Sequence, residues 1–336
     1  MAVLLLPLLG PLHLRYPAFN AFTVRDILAE LEPAAVATTA LTDADLGSGS
    51  WQDTFELALP LAVMPWLRQR GQELIPVAEA PEDATAQADF FRYAGEMPAL
   101  QEKLGHYSGL ERQLAQALDS QLNLKALRTE ILPLVREQQQ ELKRTAGDGP
   151  ATGWIWQRSR AAAGRIREAA AGGTVAVLAS LEHVPALEEA LQETGVRLLD
   201  LPEQVKVSAE ARDRTLLDQA MLAAPDSNLR ALLDALQQLG SAEAGYARAN
   251  LFMASGHYLE ALELLETVSH DDFSEPYFLP GFLLARLGQL RDLAGKRSWA
   301  LQAYRGVLAL DWAPAEAVEV ARAGLEKPFA LPQPAG

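Results

Sequence analysis

The sequence predicts an α/β fold: a mostly parallel sheet with helices on both faces and a helical insertion, followed by a small all-α tail of helical hairpins. Three observations predict it. Short apolar runs are bounded by turn residues, as strands covered by helices on both faces must be. Helical segments separate those runs, so that strand and helix alternate along the chain. Strand signals then stop, and from about residue 206 the pattern is helical to Phe329.

The strands are expected at Val3 to Leu9, Ala35 to Thr39, Glu73 to Val77, Thr174 to Leu178 and Val196 to Leu199. Between them, helices are expected over Ala21 to Leu31, Trp51 to Arg70, Trp154 to Ala170 and Pro185 to Glu193, which right-handed crossovers would place on the sheet. The stretch from about 84 to 145 lacks strand signals. Its leucines Leu110, Leu114, Leu118, Leu122 and Leu127 fall at helical spacing, so it reads as a helical insertion, closed by the turn Gly147-Asp148-Gly149-Pro150. An α/β domain over 1–205 and a helical tail over 206–330 follow, with the linker near Leu201 to Val207.

The tail carries a weak internal repeat. ARANLFMASGHYLEALELLE and SWALQAYRGVLALDWA each place a small residue, Ala261 or Ala300, where paired helices must approach closely. These segments resemble tetratricopeptide repeats, with Gly256 and Tyr258 at the turn and Pro314 close to the terminal proline. The offset between the two alanines exceeds the usual period of ~34 residues, so one copy should hold an insertion. Trp299 and Trp312 read as core fillers of the tail, and the grooves between paired helices imply a protein or peptide partner.

Composition narrows the function. The 336 residues hold no cysteine, which excludes disulfides, thiolate metal sites, iron–sulfur clusters and cysteine nucleophiles. Asp and Glu exceed Lys and Arg by 44 to 29, a net charge of -15, and a surface so acidic repels nucleic-acid backbones. The opening MAVLLLPLLG lacks a basic n-region, contains Pro7 and runs into charged residues, so it reads as a buried strand rather than a leader. No segment approaches the ~20 apolar residues of a membrane span, and the expected location is cytoplasmic.

In an open parallel sheet, ligands bind beyond the carboxyl ends of the strands. Two of the five histidines fall there, His13 after the first strand and His183 after the fourth. Were those strands close, the two imidazoles would meet over one crevice. The structural alternative for each is a ring that donates to a neighbouring carbonyl. His106, His257 and His270 have no partner at ligand spacing and read as surface residues. No Walker lysine, dinucleotide fingerprint, G-x-S-x-G elbow or H-E-x-x-H occurs.

LLGPLHLRYPAFNAFTVRDILAELEPAAV resembles the start of the TraB/Tiki group, more distantly related to the ChaN-like and erythromycin-esterase-like folds. VAVLASLEHVPALEEAL resembles its later strand and second histidine loop, and Gln157-Arg158-Ser159-Arg160 its arginine-bearing helix. The resemblance covers about Leu4 to Leu199. It implies two G-x-x-H loops and an acid at the end of the second strand, used in the Tiki branch for metal-dependent peptide hydrolysis. His13 keeps its loop, Ser180 replaces the second glycine before His183, and Thr39 stands at the acidic position. Asp43, Asp45, Glu79, Glu82 and Glu182 lie in loops from which a carboxylate could substitute.

On this reading His13, His183 and Asp43 are the metal-ligand candidates, for a divalent ion such as Mn, Co, Zn or Fe. His13, His183 and Glu182 are the catalytic candidates, and Arg158 and Arg15 would hold an anionic substrate group. With the acid at Thr39 missing, the sequence points first to a ligand-binding or scaffold protein with catalysis weakened or lost. A working metal-dependent hydrolase and an interaction module acting through the tail are the alternatives.

Overall fold

The structure, a computed structural model, describes residues 1–78, 96–147, 153–223 and 229–331, with positions 89, 92, 93 and 149 between them. The chain divides into two compact units, Met1–Ala211 and Arg212–Gly336. Residues 206–211 belong to the first because its helix Ala21–Leu31 holds them. Ser208 N–H donates to Asp26 at 2.8 Å, Lys206 N–H to Glu30 at 2.7 Å, and the Asn20 amide to the Ala211 carbonyl at 2.7 Å.

The first unit is built on a five-stranded, all-parallel sheet: β1 (Ala2–Leu8), β2 (Ala35–Thr38), β3 (Leu74–Pro76), β4 (Thr174–Ser180) and β5 (Arg197–Leu199), in the order β3-β2-β4-β1-β5. An α/β fold with additional helices is thus what the apolar runs build. From Val3 to Leu9 and from Val175 to Ala179, nearly every side chain of the two central strands is shut off from water. Pro7 is tolerated inside a central strand because β5 accompanies β1 only as far as Leu4, so on that side no ladder partner opposes the missing N–H.

β1 pairs with β4 in register from Ala2↔Thr174 to Leu8↔Ser180, which brings the two histidine-bearing loops side by side. From β1 the chain returns at β2, beyond β4. From β4 it returns at β5, beyond β1. Right-handed crossovers in opposite directions put their helices on opposite faces, and a crevice is left above Leu8 and Ser180.

The expected helix from Trp51 to Arg70 is broken. A 3-10 turn at Ser50–Asp53 and an extended stretch precede a π-helical turn, Leu59–Val63, and a short α-helix, Met64–Gln69. Pro60 and Pro65 are the reason, since each lacks an N–H and its ring collides with the carbonyl four residues earlier. The insertion repeats the device. Helix Gly105–Leu118 is followed by Leu124–Ala126, a π turn Leu127–Ile131 and helix Leu132–Ala146, with Pro133 just after the π turn. Widening the helix to the π form is one way to seat a proline's ring within continuous helix.

In the second unit, helices Ala242–Ala254 and Tyr258–Val268 form one pair, and Leu279–Leu293 and Arg297–Leu308 another. Both pairs turn on a positive-φ glycine, Gly256 at +80° and Gly295 at +71°. The hydrogen bonds that close the turns also correspond, His257 N–H to Phe252 O and Lys296 N–H to Arg291 O. Ala261 and Ala300 are fully buried, and the added length of the repeat lies between Val268 and Leu279. Trp312 packs on Tyr277 with ring centroids 5.0 Å apart. Trp299 corrects the expectation of a core filler: it is 58% exposed, lying under the Arg291 guanidinium at the start of its helix.

Two packed features organise this unit. Arg214, almost fully buried, is neutralised by Asp218 and Glu243, each at 2.7 Å. Tyr304 is fully buried against Gly288 and Gly324, where a Cβ would stand 2.4 Å and 2.3 Å from its ring, and its hydroxyl donates to Asp292 at 3.0 Å. Removing that ring in Tyr304→Ala should cost about 3–5 kcal/mol, read as an earlier urea transition of the helical unit. Gly324→Val, which drives a side chain into the ring, should destabilise in the same direction.

Candidate functional site

A cavity of about 510 Å³ occupies the crevice above β1 and β4. Leu8, Leu9 and Gly10 on one side and Ser180, Leu181 and Glu182 on the other form its floor. The insertion roofs it: of its leucine stripe, Leu110, Leu122 and Leu127 enter the core, whereas Leu114 and Leu118 line the cavity. Trp154 and Trp156, at the start of helix Trp154–Ala169, add aromatic wall, and Phe55 stands exposed at the rim.

The polar centre of this cavity is Glu56, which sequence reading missed. Its carboxylate, 6% exposed, accepts a hydrogen bond of 2.8 Å from Gly10 N–H and another from the Ser180 hydroxyl. One buried acid therefore ties together the first residues of the two histidine loops. Gly10 must be glycine here, because its φ is +56° and a Cβ would stand 2.5 Å from the Phe55 ring. The serine that replaces the second glycine supplies a donor to the same carboxylate. Burial, reinforced by the charge of Glu182, raises the Glu56 pKa above the ordinary carboxylate value. A signal for it existed: Glu56 is the one charged residue between Asp53 and Arg68.

Glu182 also lines the cavity. Its side chain is 70% open to water, as a place on an open wall requires, while the surrounding protein still raises its carboxyl above the ordinary value by desolvation. Burial, then the charges of Glu111 and Glu182, push the Tyr107 hydroxyl up to about 12. Gln139, 8% exposed, donates its amide to the Glu182 carbonyl, which leaves its Oε1 buried without a partner.

Neither imidazole is among the groups that line this cavity. His13 is 1% exposed and wholly engaged by the main chain: Nε2 accepts from Leu9 N–H at 3.1 Å, and Nδ1–H donates to the Phe19 carbonyl at 2.9 Å. That carbonyl directly precedes Asn20, whose side chain caps the helix Ala21–Leu31 by accepting from Phe22 and Thr23. Desolvation lowers the His13 pKa to about 4. With both nitrogens occupied, the ring has no lone pair to offer a metal or a reacting proton. His183 stands edge-on to Trp154 at 5.8 Å between ring centroids, with Nε2 3.7 Å from Glu182. Burial, then the positive charge of Arg158, lowers its pKa to about 4.

The remaining candidates lie elsewhere. Asp43 is exposed and paired with Arg165 at 3.1 Å, so the expected ligand set of His13, His183 and Asp43 is not assembled. Among the described residues, no three His, Asp or Glu side chains come together as a metal site. Asp45 is spent on a capping box with Thr42. Glu79 and Glu82 fall outside the described residues. Arg15 pairs with Asp119 at the surface, 3.1 Å away, and Arg158 lies over Trp154 at 5.5 Å. Neither arginine lines the cavity. Thr39, at the position the resemblance makes acidic, is buried with no partner for its hydroxyl. His106, His257 and His270 are exposed. Among the described residues, no helix is long and apolar enough to cross a membrane.

Comparison with protein-family models, with curated proteins and with solved structures finds no match for this chain.

Between the ordinary histidine value of 6.5 and a folded value of about 4, the unfolded chain binds the proton that folded His13 refuses. The stability His13 contributes is complete above pH 6.5 and is lost as the pH falls through that window, on the order of 3 kcal/mol in all. Urea titrations from pH 7 to 4 should show this slope, to which His183 adds its own because burial lowers it over the same range, and His13→Gln should make it shallower while lowering stability at pH 7. Histidine-ring NMR should find the His13 Nδ1–H tautomer persisting to about pH 4.

Proposed function

We propose that this chain is a small-molecule-binding protein, a divergent relative of the TraB/Tiki group whose histidine loops have become structural. The observation that carries the reading is the cavity of about 510 Å³ over the carboxyl ends of β1 and β4, apolar over most of its wall with a few convergent polar groups. Its size and character are those of ligand pockets, and its place is where open parallel sheets bind ligands. Loss of metal chemistry is supported by the engagement of both His13 nitrogens with the main chain and by the pairing of Asp43 with Arg165. With both His13 nitrogens taken up by the main chain and no three His, Asp or Glu side chains gathered as a metal site among the described residues, binding is better supported than hydrolysis.

The test is a neutral solvatochromic probe. Nile red should bind the full chain at a single site with blue-shifted emission, since the cavity replaces water with apolar wall. Ala115→Trp, at an exposed position of the roof helix that lines the cavity, should leave the fold intact by circular dichroism and weaken that binding about tenfold or more. Unshifted emission, or a shift indifferent to the tryptophan, would remove the cavity as the binding site.

A further inference from the structure

The charged groups that line the cavity are all carboxylates. Glu56, Glu111 and Glu182 line it, and no lysine or arginine does. Among the described residues, Glu56 has no cation at ion-pair distance, and Glu182 has only the His183 imidazole. That ring is neutral at pH 7, because burial holds it at about 4. Gln139 adds a neutral acceptor, its Oε1 buried and unpartnered. A buried acceptor without a donor is a cost that a ligand can relieve. Trp154 and Trp156 complete the picture, as indole faces both attract cations and bury apolar chains.

We propose that the ligand is an amphiphilic primary amine, its hydrocarbon body against the apolar wall and its ammonium group between Glu56 and Glu182. This rests on the reading of the cavity as a binding site and adds the class of molecule. An ammonium brings one positive charge and three donors, which answers two carboxylates and an amide oxygen. An alcohol of the same length brings one donor and no charge, and a fatty acid brings a charge of the sign already in excess.

Displacement of bound Nile red from the full chain at pH 7.5 by octylamine, octanol and octanoate tests it. Octylamine should displace the probe at a concentration about tenfold below that of octanol, with octanoate weakest of the three. Glu182→Gln should bring the amine-to-alcohol ratio toward one, with octanol as the internal reference for any change in probe affinity, and Glu56→Gln should do the same where it folds. Glu182 is largely open to water, so its substitution carries the test should loss of the Glu56 bridge unfold the loops. Equal displacement by amine and alcohol, preference for octanoate, or an amine preference that survives Glu182→Gln would each overturn the proposal while leaving the cavity a binding site. Failure of Nile red to bind at all would instead overturn the cavity reading, and this proposal with it.

Discussion

The Glu56 carboxylate accepts hydrogen bonds from Gly10 N–H and from the Ser180 hydroxyl, and the carboxyl edge of the sheet is organised around that bridge. β1 and β4 run side by side, and their chains then leave for opposite sides of the sheet. Two loops that diverge from one point need something to hold their origins together. A buried acid with two donors does so, and the hydrogen bonds it receives offset part of its desolvation. The cavity exists because the loops part above this bridge and the insertion spans the gap.

His13 performs the matching task one step outward. Its two nitrogens join Leu9 N–H to the Phe19 carbonyl, which sets the loop after β1 and presents Asn20 to cap the next helix. An imidazole is suited to this because its neutral form is donor and acceptor at once, at opposite edges of a rigid ring. The engagement of both nitrogens, rather than the charge state of the ring, makes it a poor candidate for the chemistry that the resemblance implies. His183 is likewise held neutral, by burial and by the nearby Arg158 charge.

Much of the fold was legible in the chain. All five strands announce themselves as apolar runs, most fully β1 and β4, since a strand covered on both faces has no polar side to display. The helix Ala21–Leu31 was legible at both ends. The helix expected from Trp51 to Arg70 was not, because Pro60 and Pro65 break a hydrophobic pattern that periodicity alone reads as continuous. Of the site, the two loops were legible and its chemistry was not. His13 and His183 were conspicuous by type, while Glu56, the acid that joins Gly10 to Ser180, sits inside the segment whose pattern reads as a regular helix.

The sequence by itself determined the α/β class, the strand positions, the helical character of the insertion and the tail, and the placement of two histidines just past strand ends. These follow from local rules, in which hydrophobic period and turn residues act over a few positions. Only the tertiary structure decided that the His13 lone pair is consumed by Leu9 N–H, that Asp43 pairs with Arg165, and that Glu56 meets Gly10 and Ser180. A side chain's chemistry is set by which donors and charges it meets and by how much water it keeps. For residues 46 and more positions apart, as Gly10 and Glu56 are, those partners are chosen by strand order and crossover direction, which local patterns do not encode.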